Sequence, residues 1–230
     1  MTDQDVERGD LLYENPLTTP GDIAGFRLEG AALTSFPQGR LRLENALDPA
    51  SGQDSNFVLW CPEEFPADIV VSWDFWPVRE PGLCILFFGA RGHGGTDLFD
   101  PALQPRTGPY DQYHHGDLDC YHVSYFRRKV FPEQEQGMHL SNLRKSHGFH
   151  LVAQGADPLP PVIHAWPPYR IELLVIEQVI TFVINGITSW RWRDDGSVGG
   201  PPLGGGKIGF RQMAPLIAEY ANLQVHRLHA

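Results

Sequence analysis

Short segments of alternating or β-branched residues recur along the whole chain, and clusters of turn residues separate them. The 24 Gly and 20 Pro among 230 residues break regular elements at close intervals, and an aromatic content of 11% suits pleated surfaces. That combination predicts many short strands and no long helix. The fold class expected is therefore all-β, a two-sheet antiparallel sandwich. A chain of this length can bury one sizeable core, so a single domain over residues 1–230 is expected, with residues 1–9 flexible.

Early strands are expected at Asp10–Glu14, Gly25–Glu29, Ala32–Phe36 and Arg40–Asn45. In the last of these, Leu41 and Leu43 alternate with Arg40, Arg42 and Glu44. Asn56–Cys61, Asp68–Trp76 and Leu83–Gly89 follow, richer in aromatic and β-branched residues. The stretch His93–Gly116 holds too much Gly, Pro and Asp for a strand and reads as a long surface loop. A helical turn fits near Pro101–Leu103. Further strands are expected at Tyr121–Arg128, His139–Arg144 and His150–Ala153, before the Pro-rich connection Asp157–Pro168. Arg170–Ile176 and Val179–Ile184 read as a hairpin about Glu177–Gln178, and Asn185-Gly186 signals a second hairpin into Thr188–Arg193. After the Gly-rich loop Asp194–Gly206, Lys207–Gln212 and Ala218–Arg227 close the chain.

The formal charge of -10 gives no electrostatic basis for binding nucleic acid. No apolar run approaches the length that spans a bilayer, and Met1–Asp10 has no apolar signal core, so a cytoplasmic protein without a membrane partner is expected. The three cysteines, Cys61, Cys84 and Cys120, cannot form a closed disulfide framework. Against the acidic background, Arg106, Arg127, Arg128, Lys129, Arg144 and Lys145 gather with most of the histidines in the middle of the chain. Such a centre suits either an anionic ligand or scattered surface cations.

The C-terminal third resembles the closing strands of concanavalin A-like lectins and glucanases, a jelly-roll sandwich. The segments concerned are Tyr169–Val175, Ile180–Gly186, Gly206–Gln212 and Glu219–Val225. Trp73-Asp-Phe-Trp-Pro77, Gln112-Tyr-His-His-Gly-Asp117, Tyr121–Arg128 and Asn142-Leu-Arg-Lys-Ser146 are more specific. With Gly206–Pro215 they resemble the YesU family of uncharacterised bacterial proteins, over Tyr13 to Val225. The resemblance implies a concanavalin A-like jelly roll from bacteria that degrade plant cell-wall polysaccharide, particularly pectic rhamnogalacturonan. It implies no particular reaction.

On a strand at Tyr121–Arg128, one face would carry Tyr121, Val123, Tyr125 and Arg127, the other His122, Ser124, Phe126 and Arg128. Tyr125 and Arg127 are placed on the concave, ligand-facing side. Leu143 is expected in the core, with Asn142 and Arg144 opposite. Three readings follow. A lyase acting on a uronate would neutralise the sugar carboxylate with Arg, Asn, Gln or His and use Tyr or His as base and acid. His114, Tyr125 and Arg127 are the catalytic candidates, and Gln112, His115, Trp76, Asn142, Arg144 and Lys145 the substrate-binding ones. A glycoside hydrolase needs two flanking carboxylates, for which Asp97, Asp111, Asp117 and Asp119 are the central candidates. A non-catalytic saccharide-binding module would use Trp73, Trp76, Tyr113 or Trp166 as platforms, although Trp73 shares a face with Ile69 and Val71 and reads as core.

No cofactor is expected beyond a structural calcium ion on a loop containing His114-His115, Asp117 and Asp119. The two neighbouring histidines point apart if the chain is extended, and no zinc-type spacing is present. The partners expected are an oligosaccharide containing uronic acid and, in a homodimer, a second copy.

Overall fold

The computed structural model describes residues 7–129 and 139–229. The first strands are β1 (Glu7–Asn15), β2 (Arg27–Gly30), β3 (Ala32–Ser35), β4 (Leu41–Asn45) and β5 (Phe57–Trp60). Then come β6 (Ile69–Arg79), β7 (Gly82–Gly92), the one-turn helix α1 (Asp111–His114), β8 (Leu118–Arg128), β9 (Leu140–Ser146) and β10 (His150–Ala156). The chain closes with β11 (Tyr169–Ile176), β12 (Val179–Ile184), β13 (Ile187–Arg193), β14 (Lys207–Met213) and β15 (Ile217–His229). Of the flexible start expected for residues 1–9, residues 1–6 lie outside the described residues and 7–9 belong to β1.

Two antiparallel sheets form the sandwich. One has eight strands, ordered β13-β12-β11-β6-β15-β4-β3 with β1 also on β15; the other has seven, ordered β10-β9-β8-β7-β14-β5-β2. Alternation decides which side chains meet between them. Trp73 and Phe75 of β6, Tyr125 of β8, Phe182 of β12, Phe210 of β14 and Tyr220 of β15 all enter the interior. Their rings meet edge-on or tilted, as in Trp73–Phe210 (5.6 Å) and Phe75–Tyr125 (5.3 Å). Such pairs add roughly 0.5–1.5 kcal/mol each to the burial itself. Trp73 is thus core, as its alternation predicts.

The Asn185-Gly186 turn has positive φ at both residues (49° and 75°), as a tight two-residue hairpin requires. The long connection from β7 to β8 departs from expectation. Instead of standing free as a surface loop, it lies on the outer face of the seven-stranded sheet, where Leu98 and Tyr113 join Trp60, Phe87 and Cys120 in a second apolar cluster. A buried Arg106–Glu29 pair (2.8 Å) ties the loop to β2, and Trp60 Nε1 donates to the same carboxylate (2.8 Å). The helical turn falls at Asp111–His114 rather than Pro101–Leu103, because Tyr113 anchors it in this cluster. The loop covers part of the outer face and leaves the β8–β9 part beside it.

Candidate functional site

β8 sends Tyr121, Val123 and Tyr125 into the interior and His122 and Ser124 to the outer face. Strict alternation would put Arg127 with Tyr125. A bulge prevents this. Phe126 has φ of 46°, the register with β7 shifts between Gly82 and Cys84, and Phe126 turns inward beside Tyr125. Arg127 therefore emerges on the side of Ser124. The placement of Tyr125 on the ligand-facing side is corrected accordingly: it has no exposed surface and packs against Trp73, Phe75 and Phe182.

β9 pairs with β8 so that Ser124 faces Asn142 and His122 faces Arg144. Leu143 lies in the core, which leaves Asn142 and Arg144 on the outer side. The Asn142 amide oxygen, turned to satisfy both ends of the group, accepts from Arg127 Nη1 at 3.2 Å. Arg144 donates to the Phe149 carbonyl (3.0 Å) and stacks on the Phe149 ring at 3.9 Å. Arg127 and Arg144 are both half-buried. Burial, followed by the neighbouring Arg144, pulls the Arg127 guanidinium below its ordinary range, and Lys129 is lowered by burial and by both arginines.

Three other cations of the basic centre are matched. Arg106 has Glu29, Arg128 lies 3.9 Å from Asp157, and Lys145 lies 2.7 Å from Asp194. Lys145 is the second correction. Its odd position beside Leu143 turns it into the interior, where it is fully buried and cannot meet a ligand on the outer face. Among the described residues, neither Arg127 nor Arg144 has a carboxylate partner of this kind.

Beside the arginines stands a polar chain that the sequence reading passed over. Tyr110 Oη lies 2.6 Å from His122 Nδ1, and His122 Nε2 lies 2.9 Å from Ser146 Oγ. Burial holds His122 well below the usual histidine range, so it is neutral, and burial raises the Tyr110 phenol. The Tyr110 ring rests under the Arg211 guanidinium (4.8 Å) and meets Phe149 edge-on (5.5 Å). His122 could have been found by assigning the polar side of β8 to the face of Asn142 and Arg144. Tyr110 lies in a loop, where no periodicity points to it.

His114 closes α1. Its ring lies 4.3 Å from that of Phe149 and 4.9 Å from that of Tyr110, and burial pushes it down to about 4. His115 and Asp111 stand next to it. Gln112 holds the loop instead of projecting onto the face: its amide oxygen accepts from Thr107 N (2.7 Å).

Trp76 is the third correction. It belongs to β6 and lies on the outer face of the other sheet, under the Arg40 guanidinium (4.8 Å), in a basin of about 450 Å³ with Arg42, Val162, Pro167 and Glu219. Trp166 is almost wholly exposed near that basin, whereas Tyr113 is buried. The loop aspartates are engaged separately. Asp97 lies 3.4 Å from Lys207, Asp117 accepts from Gln104 N (2.6 Å), and Asp119 lies 3.1 Å from His93. Asp117 and Asp119 do not converge with His114 and His115 in the way the expected calcium loop needs. Asp111 does, with Oδ1 3.1 Å from His115 Nδ1.

A family model described as a domain of unknown function, DUF1961, matches residues 10–225. The uncharacterized protein YesU of Bacillus subtilis is 49% identical over 221 residues, covering 96% of this chain and 97% of YesU. A crystal structure of a protein of unknown function with galectin-like fold, also from Bacillus subtilis, superposes with a TM-score of 0.91. It has 48% identity and covers 97% of this chain and 98% of its own. The κ-carrageenase of Pseudoalteromonas carrageenovora, in complex with an oligotetrasaccharide of κ-carrageenan, superposes with a TM-score of 0.57. At 9% identity, with 100% of this chain and 98% of that one covered, it shares the fold alone. On the family match and the 49% identity to YesU, this chain belongs to the DUF1961 family.

Proposed function

We propose that this protein binds an acidic oligosaccharide across the outer face of β8 and β9, with Arg127 and Arg144 receiving a uronate carboxylate. One observation carries the reading. Two guanidinium groups share a half-buried face beside Asn142, Arg144 disfavours the charge of Arg127, and neither is ion-paired to a described carboxylate. Holding like charges together costs free energy that an anionic ligand recovers on binding. Gln154 offers an exposed hydrogen-bonding group opposite Asn142 on the neighbouring strand, and the half-buried Phe149 and Tyr110 rings border the face. The fold shared with a carrageenase that is seen in complex with an oligotetrasaccharide is compatible with oligosaccharide binding.

The Tyr110–His122 contact favours a second reading on the same face, β-elimination of the bound uronate. The arginines would neutralise the carboxylate and make the C5 proton removable. Tyr110 Oη would take the C5 proton as its phenolic hydrogen passes to His122 Nδ1. The C5–H electron pair would form a C4=C5 double bond, the C4–O bond would break, and the leaving oxygen would take the proton from Tyr110 while His122 returns its hydrogen to the phenolate. Hydrolysis has less support, since it needs two flanking carboxylates and the loop aspartates are each held by other partners.

Calorimetry with oligogalacturonate and its carboxyl-reduced counterpart tests the binding reading. The acidic sugar should bind at least about tenfold more tightly, and added salt should weaken it. Equal affinity for both sugars overturns the reading. Ultraviolet absorbance of an unsaturated uronate, followed in the same mixtures, reports elimination.

A further inference from the structure

We infer that Asp111, His114 and His115 form a binding site for a divalent transition-metal ion, with zinc as its simplest occupant. Among the described residues this is the grouping of three metal-ligating side chains whose donor atoms all lie within 4.8 Å of one another. His114 Nδ1 and His115 Nδ1 are 2.6 Å apart, His115 Nδ1 and Asp111 Oδ1 3.1 Å, and His114 Nδ1 and Asp111 Oδ1 3.9 Å. Ligands of a tetrahedral ion, each about 2.0–2.1 Å from it, sit roughly 3.3 Å from one another. The observed separations bracket that value, so small side-chain rotations admit the ion.

Local backbone structure explains the convergence. An extended His-His dipeptide points its rings apart, but these two residues end one turn of helix, which places positions 111, 114 and 115 on one side. The turn is held from several directions. Tyr113 is buried in the outer apolar cluster, the His114 carbonyl accepts from Gly148 N (2.7 Å), and the His115 amide donates to the Asp111 carbonyl (2.8 Å). A Cβ at Gly116 would meet the Gln112 carbonyl oxygen at 2.2 Å, so the chain leaves the turn by a path only glycine fits.

Chemistry selects the class of ion. Two imidazole nitrogens 2.6 Å apart need a proton or a cation between them, because facing lone pairs repel. Asp111 supplies one negative charge on the same side. Two nitrogens and one oxygen favour zinc, cobalt(II), nickel(II) or iron(II) over calcium, which takes oxygen ligands. Three protein donors leave a tetrahedral ion one position for water or another oxygen ligand. Asp111 is 81% exposed and His115 50% exposed at the side chain, so ions have access.

The site stands independently of the saccharide reading, and its test contains no sugar. Tag-free full-length chain, stripped with a chelator, is titrated with zinc by calorimetry and with cobalt(II) by visible absorption. One ion per chain is expected, with the intense d–d bands of tetrahedral cobalt. His115→Ala and Asp111→Asn, both at exposed positions, should each weaken zinc by more than about 100-fold, beyond what loss of an outer-shell contact gives. His164→Ala, at an exposed histidine elsewhere, should change nothing. Failure of the unsubstituted chain to bind zinc or cobalt overturns the proposal, and so does unchanged affinity in His115→Ala.

Discussion

Tyr110 Oη and His122 Nδ1 meet at 2.6 Å across the boundary between the β7–β8 loop and the seven-stranded sheet. The contact joins a loop residue that no periodicity marks to a strand residue that is fully desolvated. It also sets the buried, neutral imidazole next to the two arginines that are not ion-paired among the described residues.

Replacing Arg127 or Arg144 by alanine should weaken acidic-oligosaccharide binding by about 1.5–3 kcal/mol each, the worth of a hydrogen bond to a charged group. Stability should fall less than for a buried ion pair, because neither side chain is ion-paired among the described residues and Arg144 disfavours the charge of Arg127. Calorimetry and thermal melts on the same samples check both halves. A large fall in melting temperature with unchanged binding would assign the arginines a structural role.

Lys145→Ala should do the reverse. Lys145 and Asp194 form a fully buried pair at 2.7 Å, and Asp194 also accepts from Tyr121 Oη. Removing one partner leaves an uncompensated buried charge, which costs about 3–5 kcal/mol. Urea unfolding should show that loss, and any variant that remains folded should bind sugar as the parent does.

His122 gives the protein an acid limit. Desolvation first, then His114, Arg144 and Arg211, hold its imidazole well below the usual range, while Tyr110 and Ser146 take its two nitrogens. The unfolded chain takes up a proton as pH falls through about 6.5, and the folded chain does not. Stability is therefore present above that pH and lost below it, at up to about 1.4 kcal/mol per pH unit from this group. Urea unfolding of the parent and His122→Gln at pH 7 and pH 5 should show a smaller loss in the variant. Parallel losses would mean that His122 is protonated in the folded state.

The β11–β12 hairpin turns through Glu177 and Gln178, both at positive φ (46° and 66°). That geometry favours Asn-Gly, and L-residues with larger side chains are strained in it. Glu177→Asn with Gln178→Gly keeps the hydrogen bonds from Glu177 N to the Asp68 carboxylate and from Asp194 N to the Gln178 carbonyl. It should raise stability by about 1 kcal/mol or more, seen as a higher melting temperature. A lower one would show that the side chains contribute more than the turn strain.

The sandwich was legible because alternation is a local signal. The spacing at Leu41 and Leu43, the Ile69–Val71–Trp73 face and the Asn185-Gly186 turn each translate directly into buried strand faces and a hairpin. The site was legible only in part. Arg127, Asn142 and Arg144 share a face, but the Phe126 bulge separates Tyr125 from Arg127, and bulges leave no mark on composition. Lys145 was misplaced because its partner Asp194 lies 49 positions away, taking 194 minus 145. Trp76 has the exposure of a ligand-facing aromatic but belongs to the other sheet, a matter of strand order that no single segment encodes.

The most direct test maps which face of the sandwich meets the sugar. Backbone amide spectra recorded during titration with an oligogalacturonate should shift at Ser124, Arg127, Asn142, Arg144 and Phe149. They should stay constant at Arg40, Trp76 and Val162, which line the basin over the opposite sheet. Shifts confined to the Trp76 basin, with the β8–β9 resonances unmoved, would contradict the account.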